Sequence, residues 1–140
     1  MNPRSLETTL SRFTLGLLVI YAPVETWASL PHGLLNPFYL IDLIAMVLLM
    51  AGAVTSLRAR PDRSPSLLCA AYAWTAANGW RATFGRVEEL ERGGKLDYGT
   101  AELRAVVIGT ALVLTCFAIS LYLVVKASAS PQFPESNKPR

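Results

Sequence analysis

Charge is what this sequence has least of. Only 16% of its 140 residues are Asp, Glu, Lys or Arg, where a soluble domain carries about a quarter. Four stretches hold none at all: 13–24, 43–57, 67–79 and 105–125. With 52% hydrophobic residues, the chain is neither a disordered tail nor a nucleic-acid binder, despite its net charge of +3. Metal-binding residues are scarce as well. One histidine and two cysteines make no metal cluster at ligand spacing, and a lone histidine excludes a bis-histidine haem. Cys69 and Cys116 fall at depths about 10 Å apart at 1.5 Å per residue, too far to pair. A Gly-rich phosphate loop, a nucleophile elbow and a channel filter are all missing. No cofactor is expected.

What is present is long apolar runs. Crossing ~30 Å of hydrocarbon takes about 20 mostly apolar residues, and backbone groups in lipid must be bonded within their own segment. The pattern predicts an all-α integral membrane four-helix bundle, with spans at about 13–30, 37–57, 67–84 and 103–126. Residues 1–127 form one bundle domain, and 128–140, with its prolines and serines, is a flexible cytoplasmic tail. The third span is rich in alanine rather than leucine, which suits close backbone approach inside the bundle. Arg4, Arg12 and the run 13–24 also resemble a secretory signal ending near Ala28. Extending the run through Leu30 makes it long enough to span, and we read it as a true first helix.

Arginine and lysine set the orientation. With both termini and the 58–66 connector on one side, that side holds Arg4, Arg12, Arg58, Arg60, Arg63, Lys126, Lys138 and Arg140. The other side holds Arg81, Arg86, Arg92, Lys95 and Arg104. Eight basic residues against five predict N-in and C-in topology, in the plasma (inner) membrane. Helical character continues through 86–92 to a stop at Gly93-Gly94, and Thr100 is read as the cap of the last helix.

Ionisable residues inside a span cost about 2.5–3.5 kcal/mol each on insertion scales and so call for a reason. Glu25 lies about 7 Å below the outer boundary, and Asp42 comes at the same depth in the second helix. Asn78 and Arg81 fall near the outer end of the third helix, and Glu102 and Arg104 open the fourth. His32 and Asn36 overhang them from the first turn. Tyr39 shares a face with Asp42, Trp74 shares one with Asn78 and Arg81, and Tyr21 lies one turn from Glu25. The inner halves hold nothing ionisable, which suggests a polar cavity open outward over an apolar floor. Glu25 and Asp42 are the candidate catalytic residues. Asn78, Arg81, Tyr39, Trp74, Trp27, His32 and Asn36 are the candidate ligand-binding residues.

Each has a plainer explanation. An ion pair to Arg81 can lock helices together, an aromatic belt accounts for Trp27, Trp80, Tyr39 and Tyr98, and Asn78 suits an interhelical hydrogen bond. Four spans with acids in the first two resemble, in architecture alone, the emopamil-binding group of sterol isomerases and sigma-2-type receptors. The leading expectation is a site that binds or converts a small apolar or lipid-like molecule by acid/base chemistry, isomerase-like or hydrolase-like. An accessory subunit of a larger membrane complex, or a homo-oligomer, is the alternative. Proton-coupled carriage ranks third, because nothing polar is expected in the inner half.

The charge asymmetry gives a direct test of topology. In a chain lacking Cys69 and Cys116, Ser64→Cys and Gly94→Cys should react with a membrane-impermeant thiol reagent from opposite faces of the membrane. Labelling from the same face would overturn the four-span arrangement.

Overall fold

The computed structural model describes residues 2–33, 35–58, 65–94 and 100–129, with the side chains of Ala28, His32 and Glu102 excepted. Within them the regular structure is all helical, in four long helices: α1 (Pro3–Ser29), α2 (Pro37–Arg58), α3 (Ser66–Glu91) and α4 (Thr100–Ala129). A short 3-10 turn, Leu30–His32, follows α1. Two helices, Pro37–Arg58 and Leu103–Ala129, are long and apolar enough to cross a membrane. The connector 59–64, the stretch 95–99 and the tail from 130 onward lie outside the described residues, and with them the expectations placed there.

Local chemistry fixes where the helices begin and end. α1 starts ten residues before the expected span. Asn2 caps it, its side chain accepting from the Arg4 amide at 3.1 Å, and Pro3 occupies the first turn, where a missing N–H costs nothing. Arg4, Glu7 and Arg12 therefore stand on the helix rather than ahead of it. Asn36 precedes α2 and accepts from the Phe38 amide at 3.0 Å. α3 runs beyond the expected boundary at Phe84 to Glu91. It closes through Gly93, whose φ of 78° suits a residue without a Cβ. Thr100 is the first helical residue of α4 rather than its cap.

Each helix packs on its sequence neighbours, while α1 and α4 meet less extensively. Glu7 faces Ser56, and Thr26 faces Tyr39. As α1 advances α2 therefore retreats, which makes the pair antiparallel. Thr14 faces Tyr72, so α3 runs alongside α1 in the same direction. α2 turns Ala45, Met46, Leu49, Gly52 and Ala53 inward, and α3 turns Leu68, Ala71, Tyr72 and Ala76 inward. Both sets follow the three-and-four spacing of an inward helix face.

The packed core is confined to one half. Leu10, Leu49, Ala53, Leu68, Tyr72, Cys116 and Leu123 cluster in the half that holds the start of α1 and the end of α4. In the other half, among the described residues of 15–33, 37–44, 77–94 and 100–109, none is fully buried. Apolar side chains instead crowd the outside of every helix. Val19 and Ile20, Ile44 and Val47, Trp80 and Phe84, and Ile108 and Val125 are all exposed. So much outward apolar surface is foreign to a monomer in water and natural in lipid.

The closest helix contact makes a stability prediction. A Cβ on Gly52 would stand 2.8 Å from the Leu68 Cα, against backbone that cannot turn aside. Gly52→Ala should force α2 and α3 apart and cost about 1–3 kcal/mol, seen as a lower melting temperature in detergent. Gly16→Ala meets no atom within 4 Å and should melt no lower than the native chain.

Candidate functional site

The short turn between α1 and α2 places their adjoining ends side by side, and two carboxyl groups meet there. Glu25 on α1 and Asp42 on α2 are both half-buried, and each is close enough to act on the other. Arg86, on α3, is the positive charge that acts on Asp42. Tyr21, one turn before Glu25, interacts with both acids. It is 39% exposed.

A hydroxyl bridge holds the two helices at this level. Thr26 gives its proton to the Ala22 carbonyl at 2.7 Å, which leaves its oxygen free to accept from the Tyr39 hydroxyl at 3.0 Å. Tyr39 lies one turn before Asp42, so the bridge fixes the register that brings Glu25 and Asp42 together.

Other predicted site residues do not converge on the pair. Arg81 is exposed, and the cation at the site is Arg86, five residues further along α3. The reason is helical phase. Tyr72, Ala76, Gly79, Thr83 and Arg86 follow one three-and-four stripe along α3, and Arg81 is off it. Asn78 donates to the Trp74 carbonyl of its own helix at 2.9 Å rather than across the bundle. Trp27 and Trp74 are exposed, at 76% and 44%. The aromatic groups near the pair are Tyr21 and Tyr39 instead. Asn36 acts as the cap of α2. His32 closes the 3-10 turn and Glu102 stands in the first turn of α4, and both side chains lie outside the described residues. Arg104 is exposed.

The expected apolar floor is not apolar. In the packed half, Ser11, Thr14, Tyr72 and Ser120 are all buried to 1% exposure or less. Thr14 repeats the construction at Thr26: it donates to the Leu10 carbonyl at 2.8 Å and accepts from the Tyr72 hydroxyl at 2.6 Å. Cys116, buried on α4, interacts with that same tyrosine. Ser120 donates to the Phe117 carbonyl at 2.8 Å. The Ser11 hydroxyl is buried with no hydrogen-bond partner. Nearer the start of α1, Ser56 donates to Glu7 at 2.5 Å. Periodicity could have revealed this set, because Glu7, Ser11, Thr14, Leu18, Tyr21 and Glu25 repeat at alternating spacings of four and three.

Compared with protein-family models, curated proteins and solved structures, the chain shows no match.

Because the two half-buried acids act on each other, their replacements should be graded. Glu25→Gln and Asp42→Asn keep a hydrogen-bonding group in place and should shift stability by less than about 1 kcal/mol. Glu25→Ala and Asp42→Ala leave the partner unpaired and should cost about 1–3 kcal/mol. Melting curves in detergent check the order.

Proposed function

We propose that the chain is a four-span membrane protein with both termini cytoplasmic. Its Glu25–Asp42 pair forms a site in the extracytoplasmic half for a small apolar or lipid-like molecule. The observation that carries this reading is that the two half-buried acids, on different helices, act on one another. The looser packing of that half and the exposed Tyr21 support access from the side. Outward apolar surface on all four helices supports four spans, although α1 and α3 are the less hydrophobic two.

The chemistry of this reading is that of two adjoining carboxyl groups, one protonated and one ionised. The protonated member can donate at one position of a substrate while the ionised member accepts a proton from another, so that no net proton is consumed. That is the requirement of an isomerisation that shifts a double bond. A hydrolysis would use the ionised member as base toward a water. Arg86 on α3 is the cation that acts on Asp42.

The test is what travels with the protein. Purified in mild detergent, the native chain should retain a lipophilic molecule enriched over bulk membrane lipid, detected by extraction and mass spectrometry. Glu25→Gln and Asp42→Asn should lose that enrichment severalfold while melting like the native chain. An absence of enrichment, or enrichment indifferent to both changes, would overturn the reading. A stoichiometric partner chain released by the same changes would favour the accessory-subunit alternative.

A further inference from the structure

The site uses the inward face of α1 and leaves its outward face unexplained. Arg12, Gly16, Val19, Pro23 and Trp27 follow one another at alternating spacings of four and three, then four again, which places them on one side of the helix. All five are exposed, Val19 to 74% and Trp27 to 76%. A Cβ on Gly16 would meet nothing within 4 Å, so the backbone there forms an open notch. Arg12 is the one charge on this stripe. Its depth follows from the packing of α1 on α2. Ser56 donates to Glu7 at 2.5 Å, and the two helices are antiparallel, so Arg58 comes level with Ser5. α2 is uncharged over 43–57. Arg12 therefore stands about 10 Å, at 1.5 Å per residue, above the level where α2 leaves its apolar run. It forms no hydrogen bond or ion pair among the described residues. An arginine turned outward at that depth carries an insertion cost, which an anion on its guanidinium relieves. We propose that the outward face of α1 binds one anionic phospholipid of the cytoplasmic leaflet, its phosphate on Arg12 and an acyl chain along the Gly16 notch toward Val19.

Charge and shape together select this occupant. The planar guanidinium matches two phosphate oxygens, and the long stem of the side chain stays in hydrocarbon while its head extends toward the headgroups. The cytoplasmic leaflet is the anionic one, and Arg4 and Arg58, both exposed below Arg12, add to the attraction. The hydroxyls beside Arg12 offer no competing donors. Thr8 gives its proton to the Arg4 carbonyl at 2.9 Å, and Thr9 gives its own to the Ser5 carbonyl at 2.9 Å. The phosphate thus depends on Arg12 itself. Above it, Gly16 lets an acyl chain lie against bare backbone, where any side chain would hold it away. A second copy of this chain suits the face poorly. A twofold axis along the membrane normal would set Arg12 against Arg12 at the same depth.

The inference rests on the four-span reading, and the experiment separates the two. The full chain, purified in mild detergent, is mixed with equal amounts of phosphatidylglycerol and phosphatidylcholine of matched acyl chains. Native mass spectrometry then counts the lipid adducts. The native chain should retain one phosphatidylglycerol severalfold over phosphatidylcholine. Arg12→Gln should abolish the preference, and Gly16→Leu should lower retention severalfold while the remainder still favours phosphatidylglycerol. Arg104→Gln, exposed at the other end of the bundle, should change nothing, and melting curves check that each variant folds. Equal retention of the two lipids by the native chain, or a preference that survives Arg12→Gln, overturns the site. So does release of a second copy or a partner chain by Arg12→Gln, which would assign the arginine to a protein interface. If Ser64→Cys and Gly94→Cys still label from opposite faces in that case, the spans stand and the lipid site alone is wrong. Labelling from one face overturns both.

Discussion

A polar group inside a bundle with apolar surroundings cannot turn to bulk water, so it must find its partner on its own or a neighbouring helix. Threonine meets that constraint in two directions at once. Its hydroxyl proton goes to the carbonyl one turn back, and its oxygen still accepts from the next helix. Among the described residues this device occurs three times. Tyr72 donates to Thr14 between α1 and α3, and Tyr39 donates to Thr26 between α1 and α2. Thr110 meets Thr83 at 3.1 Å between α3 and α4, with Thr83 committed to the Gly79 carbonyl at 2.9 Å. Each bridge fixes rotation and height together, which greasy packing alone does loosely. The site depends on the second bridge, because a slip of one residue at Tyr39 would carry Asp42 away from Glu25.

The three bridges also divide the molecule. In the half with the chain termini, Gly52 lets α2 and α3 touch backbone to backbone, and the hydroxyls are sealed among Leu10, Leu68 and Leu123. In the other half Glu25, Asp42 and Arg86 are half-buried, and none of the described residues of 15–33, 37–44, 77–94 and 100–109 is fully buried. The packed half thus holds the helices in register beneath a more loosely packed, charged level.

Helix number and the antiparallel first pair were legible in the sequence, from run length and a short turn, each a one-dimensional quantity. Matching depth put Glu25 and Asp42 at one level, but the contact expected there with Arg81 or Asn78 is absent among the described residues. Arg86 was not legible in the same way. A charge cluster before Gly93-Gly94 reads as solvated surface, and only the phase of α3, carried on through Thr83, shows that Arg86 shares the inward stripe. The hydroxyls were missed for a related reason. Ser11, Thr14 and Ser120 carry no charge, so a search for ionisable residues passes over them, and their burial depends on which neighbour each faces. Trp27 and Trp74 show the converse error: placement at the right depth says nothing of whether a ring points in or out.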